Sequence, residues 1–115
     1  MQLPNRERAR VPKEKITDYL LVPEHPDAEG KGPFFLACGF RSEEWELFAD
    51  ALKRHAAHFP VAKTKEIPFG IIYVLEGLLD TPPDGTPTTR PVRSVWIIEN
   101  DKDFPRLVSA YPIGD

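Results

Sequence analysis

The chain reads as an α+β domain, with N-terminal helices packed on a C-terminal antiparallel β-sheet of meander order. Three observations predict this. Apolar stripes of helical period are confined to the part of the chain that ends at His58. From Val61 onward, alternating and β-branched runs take over. Turn residues separate those runs, with no room for helical crossovers, so neighbouring strands are antiparallel.

Met1 to Pro12 is a polar arm carrying Arg6, Arg8 and Arg10. It is expected as a solvated lead-in with Leu3 and Val11 docked, or else as a basic arm for a partner. Pro12 suits the first turn of a helix over Lys13 to Leu21, with Ile16, Tyr19 and Leu20 on one stripe. Pro23 and Pro26 end it, and Glu24 to Gly32 is a loop. Phe34 to Phe40 predicts one or two helical turns stopped by Gly39. Ser42 to His58 is the strongest helix, with Ser42 as N-cap and Glu43, Glu44 and Glu46 at the positive end of the dipole. Trp45, Phe48, Ala49, Leu52 and Ala56 form its buried stripe, which makes Trp45 a core residue and not a platform for a base. Lys53, Arg54 and His55 suit its C-terminal end, and Pro60 stops it.

Val61 to Ile67 predicts a short strand, and Pro68-Phe69-Gly70 a turn. Ile71 to Leu79 reads as a strand buried on both faces at its centre, with Gly77 marking a bulge or a close backbone approach. Thr81 to Pro87 is a turn-rich loop with Asp84-Gly85 at its tip. Thr89 to Ile113 is the closing hairpin: Val95 to Ile98 form one strand, and Leu107, Val108 and Ala110 the other. Asn100 to Asp103 supply the turn, and Pro105 limits where pairing starts.

A chain of 115 residues holds one domain, 1–115, around one core. Its 13 prolines fall mostly at element boundaries, which means short, firmly punctuated elements and not disorder. A net charge of −3 weighs against a dedicated nucleic-acid binder; DNA is not expected, whereas a local basic cleft for RNA is compatible with it. Cys38 is the single cysteine, so no internal disulfide is expected, and a buried thiol suits a reducing compartment. Gln2 to Lys15 is too polar for a signal peptide, and no apolar run approaches the roughly 18 residues of a membrane helix. The expected location is the cytoplasm, without membrane contact.

Phosphate loops, dinucleotide-binding glycine triplets, nucleophile elbows, HExxH and CxxC are all missing from the sequence. His25, His55 and His58 lack partners at metal spacing, so neither a metal nor a cofactor is expected. What stands out is a set of polar side chains threaded through the closing hairpin: Arg93, Ser94, Arg106, Ser109 and Tyr111. By strand alternation Arg93 shares the face of Val95, Ser109 and Tyr111 share that of Leu107, and Arg106 points the other way with Val108. Lys31 precedes the Phe34 turn, and Lys63 and Lys65 precede the first long strand. Metal-free RNA cleavage needs a base for the 2′-hydroxyl, a cation for the phosphorane and an acid for the leaving oxygen, which Lys, Arg, Ser and Tyr supply in principle. The purely structural alternative packs Tyr111 at the sheet edge, bonds Ser109 locally and pairs the arginines with Glu99 and Asp101.

The segments LPNRERARVPKEKITDYLLVPEHP, GK followed by FF and GF, TKEIPFG, VRSVWIIEN and DFPRLVSAYP resemble a family of small bacterial domains of unknown function, from Leu3 to Ile113. Such domains occur as stand-alone and toxin-tip forms, and are similar to the barnase, EndoU, colicin and RelE-like ribonuclease toxins. The resemblance implies helices against an antiparallel sheet and a ribonuclease-like toxin of a toxin–antitoxin type system. The implied partners are a small antitoxin or immunity-like protein, and RNA. It assigns Lys31, Arg93, Ser109 and Tyr111 to catalysis, and Lys65, Ser94 and Arg106 to substrate binding. Relatives tend to place threonine at Ser109 and tyrosine at Phe69, and some place a histidine where this chain has Gly32. The other reading is an inactive protein-interaction module of the same fold, acting with a partner encoded nearby.

Overall fold

The computed structural model describes residues 1–22, 31–82 and 89–113. A helical layer comes first. A 3-10 turn (Arg6–Arg8) leads to α1 (Lys13–Lys15), which widens into a π-type turn (Ile16–Leu20). Then come α2 (Lys31–Ala37), a 3-10 turn (Ser42–Glu44) and α3 (Trp45–His58). Four strands complete the chain: β1 (Val61–Ile67), β2 (Gly70–Asp80), β3 (Thr89–Glu99) and β4 (Arg106–Pro112). They pair in the order β1-β2-β3-β4, every pair antiparallel. The α+β meander is therefore the observed architecture. The expected tip at Asp84-Gly85 and His25 in the first loop lie outside the described residues.

Helical periodicity is legible in what is buried. Phe48, Ala49, Leu52 and Ala56 of α3 turn inward, and Phe48 stacks on Phe40 with ring centroids 4.4 Å apart. Trp45 is only half buried at the edge of this stripe, under the Lys13 ammonium 5.9 Å from its ring. Ser42 precedes α3 by a 3-10 turn, and no side-chain bond caps either helix start there. Gly39, at φ 104°, ends the α2 segment in the left-handed region that costs a glycine nothing.

The sheet is covered on one face. Tyr73, Leu75 and Leu79 of β2, Val92 and Trp96 of β3, and Leu107 and Ala110 of β4 meet the helices. β2 therefore alternates rather than being buried on both faces: Ile72 and Val74, between those core positions, are half exposed on the other side. Gly77 is a close approach. A Cβ there would come within 2.4 Å of the Phe59 ring just beyond α3. The polar arm is docked too, because Leu3, Ala9 and Val11 are buried. Arg10 bridges to the start of β4 as a short parallel pair, through Arg10 N to Pro105 O and Leu107 N to Arg10 O, each 2.9 Å. The Asn5 amide donates to the Asp103 carbonyl, and Arg8 pairs with the Asp103 carboxylate at 3.0 Å.

One register shift rearranges the closing hairpin. Val95 faces Ser109 but Trp96 faces Leu107, so Val108 is an extra residue in β4. Strict alternation places Ser109 and Tyr111 with Leu107 and Arg106 with Val108. The bulge instead leaves Leu107 in the core under Trp96, and moves Ser109 and Tyr111 to the open face opposite Val95 and Arg93. Arg106 opposes Ile97 on that same open side and pairs with Glu99 at 3.3 Å.

The buried face holds one polar cluster. The Trp96 indole N–H donates to Ser94 Oγ at 2.9 Å, and Ser94 Oγ lies 2.9 Å from His55 Nδ1. His55 Nε2 is 3.1 Å from the carbonyl oxygens of both Gly77 and Val92. The carbonyls only accept, so Nε2 carries the proton and Nδ1 accepts from the Ser94 hydroxyl. That chain of donors is complete only for neutral imidazole, and burial lowers the His55 pKa below its ordinary value, against the two carbonyls that raise it.

Gly77→Ala is expected to destabilise the fold by about 1–3 kcal/mol in urea denaturation, with part of the loss recovered by also shortening Phe59 to leucine. For His55 the folded pKa lies below the unfolded one, so its contribution is fully present above about pH 6.5 and is lost as pH falls through the folded value. The urea midpoint should therefore drop on acidification. His55→Gln should flatten that dependence, and Ser94→Ala should cost about 1–3 kcal/mol at neutral pH by orphaning two ring nitrogens.

Candidate functional site

The open face of the sheet carries a groove of about 480 Å³. Its floor is Ile72 and Val74 of β2. Lys63 and Lys65 of β1 rise along one side, and Arg93 of β3 and Tyr111 of β4 along the other. Register explains the convergence: Lys63 and Lys65 oppose Val74 and Ile72, Arg93 opposes Glu76 on one flank and Tyr111 on the other, and all share the face away from the helices. Glu76 is the one acid in the lining and accepts from Arg93 Nε at 2.6 Å. Its hydrogen bond, then that of Tyr111, raises the Arg93 pKa further above its ordinary value, so the guanidinium is permanently charged.

Tyr111 joins this groove to a second cluster at the β4 edge. Arg93 Cζ stands 5.5 Å from the Tyr111 ring centroid, and Lys31 Nζ stands 5.6 Å from it. Lys31 opens α2 and donates to Tyr19 Oη at 2.9 Å and Ser109 Oγ at 3.0 Å. For Tyr19, burial pushes the phenol up. The hydrogen bonds with Lys31 and Ser109 and the charges of Lys31 and Lys15 outweigh it and hold the phenol below the ordinary tyrosine value. The cluster thus pairs an ammonium with a phenol that ionises more readily than usual. It can hold an anion and exchange a proton beside it.

Of the residues singled out in the sequence, Lys31, Ser109, Tyr111 and Arg93 come together, and Lys65 joins them across the groove. Ser94 does not. It is fully buried on the helix side, spent on His55 and Trp96. Arg106 sits further along β4, beside Arg10, Lys53 and Phe104 in a separate surface depression. Tyr19 and Glu76 were not singled out for the site, and Lys63 was named beside Lys65 without being given a role. Tyr19 sits on the apolar stripe of its helix and reads there as core. Its polar tip, one turn from Ile16 and beside Lys15, was the available signal. Among the described residues no three His, Cys, Asp or Glu side chains converge as ligands for a metal. No helix among them is long and apolar enough to cross a membrane.

The fold and groove thus define a small α+β domain with one sheet face left open and lined by cations. The chain belongs to the family described as Domain of unknown function (DUF6883), whose match spans residues 2–114. No curated protein and no solved structure matches it.

Lys31→Met should return the Tyr19 phenol toward its ordinary value. Ultraviolet titration of phenolate absorbance would then show the Tyr19 transition moved to higher pH, and Tyr19→Phe should delete that transition.

Proposed function

We propose that the chain is a metal-independent ribonuclease-like domain, the toxin partner in a bacterial, cytoplasmic toxin–antitoxin type pair. Its RNA strand runs over the open face of the sheet. The single observation that supports this reading is the placement of Tyr111 between two basic side chains, Lys31 and Arg93, at the wall of a groove whose other side is Lys63 and Lys65. Lys63 and Lys65 hold backbone phosphates, and an apolar floor accepts the sugar–base side of the strand. Tyr19, its phenol acidified by Lys31, takes the 2′-hydroxyl proton. The 2′-oxygen attacks phosphorus, and the bond to the 5′-oxygen breaks. Arg93 and Lys31 stabilise the phosphorane charge, and the Tyr111 hydroxyl gives its proton to the departing oxygen. Ser109 fixes the Lys31 ammonium.

A second reading, an inactive interaction module, is favoured by the lack of an imidazole in the groove among the described residues. His55 is locked in the core, and His58 lies with Arg54 and Phe59 in a separate depression beside α3.

The deciding experiment incubates the purified chain with single-stranded RNA in the presence of a metal chelator. Cleavage leaving 2′,3′-cyclic phosphate ends is expected. It should fall by about 10²-fold or more in Arg93→Ala, Tyr111→Phe and Tyr19→Phe, and be unaffected by chelator. RNA left intact under conditions where a control nuclease cuts it overturns the enzyme and leaves the interaction module.

A further inference from the structure

The two edges of the sheet are treated differently. The β4 edge is occupied at its start by the N-terminal arm, through the Arg10 bridge. Among the described residues the β1 edge is met by the backbone only at its first residue, where Val61 N donates to Met1 O at 2.7 Å. Ala62 to Glu66 are all exposed. The β1–β2 hairpin closes at the pair Ile67–Gly70 around a two-residue turn. In such a hairpin the flanking pair is hydrogen-bonded, and pairing then alternates. Counted back from Ile67, the bonded positions are Lys65 and Lys63, and the N–H and C=O groups of Thr64 and Glu66 point away from β2. Those two residues present an unused strand template.

Side-chain chemistry along the edge sets what would fit it. Lys63 and Lys65 line the groove, and neither has an ion-pair partner among the described residues. A strand added beside β1 places every second side chain next to these ammonium groups, on the groove side. Its intervening side chains lie next to Ala62, Thr64 and Glu66. A second copy of the chain is a poor occupant. Two-fold antiparallel pairing of β1 about Thr64 sets Lys63 against Lys65 twice, with like charges directly opposed.

We propose that the β1 edge captures an extended acidic segment of a partner protein by strand addition, with carboxylates at alternate positions seated on Lys63 and Lys65. Main-chain bonds to Thr64 and Glu66 provide affinity, and the alternating charge sets register. The added strand lies along the wall of the groove and narrows its mouth. This inference does not depend on whether RNA is cut: its test contains no RNA, and an inert nuclease assay leaves it standing.

The test uses the full chain, calorimetry, and amide hydrogen exchange. The probes are a short peptide alternating glutamate with threonine, and a peptide of the same composition with all its glutamates in one block. The alternating peptide should bind about tenfold or more tightly than the blocked one and slow exchange at Thr64 and Glu66. Thr64→Pro removes an outward donor at a position where an edge strand tolerates proline, and should abolish binding while the chain still melts cooperatively. Lys63→Glu with Lys65→Glu should transfer the preference to a peptide alternating lysine with threonine, and this double variant decides the matter if the proline variant does not fold. Equal binding of the two acidic peptides, protection elsewhere, an unmoved preference in the double variant, or a peptide-free dimer already protected at β1 each overturns the proposal.

Discussion

The hydroxyl of Ser94 is the constraint around which this molecule closes. It lies in the middle of the covered face, where an indole N–H and an imidazole nitrogen both need a partner and no water can reach. By accepting from Trp96 and donating to His55 it satisfies both. His55 in turn spends its remaining proton on the carbonyls of Gly77 and Val92, in neighbouring strands. Helix α3 is thus fastened to β2 and β3 by directional bonds as well as by apolar contact. Such bonds fix the angle of the helix over the sheet, which apolar packing alone specifies weakly. Gly77 takes part twice: its carbonyl receives His55, and its missing side chain admits the Phe59 ring.

Because the helices consume one face of the sheet, the other is left to water and ligands. The bulge at Val108 decides what that face displays. Without the extra residue, Ser109 and Tyr111 belong on the side of Leu107, in the core. With it, they stand opposite Val95 and Arg93, and Lys31 at the head of α2 reaches them from the edge. The site is therefore a product of one irregularity in an otherwise regular ladder, as is common where strands carry function.

This explains which parts were legible in the sequence. The order of helices and strands follows from period, and the core of α3 and the alternation of β3 follow from the same signal. Gly77 was readable as a bulge or a close backbone approach, and the structure selects the close approach, made by the Phe59 ring rather than by backbone. Arg93, Ser109 and Tyr111 were singled out as polar residues in an apolar hairpin, and Lys31, from a polar loop, through the family resemblance; these four do meet. The faces of β4 were misjudged because a bulge leaves no mark in a sequence whose residues are all plausible strand formers. Ser94 was assigned to substrate binding and His55 to the helix end, because nothing near either in sequence discloses the partner it finds 39 residues away. Tyr19 was assigned to the core by its spacing, and only Lys31, from another helix, turns its oxygen into part of a site.

The docking of the arm against the last hairpin has a consequence for how the chain matures. Asn5 and Arg8 hold Asp103, 98 and 95 residues further along, and Arg10 pairs beside Leu107, so the arm finds these partners only after the last hairpin of the domain has been made. Until then Leu3, Ala9 and Val11 have no interior to enter. Such long-range closure slows folding and leaves the arm open to chaperones and proteases until the last hairpin is in place.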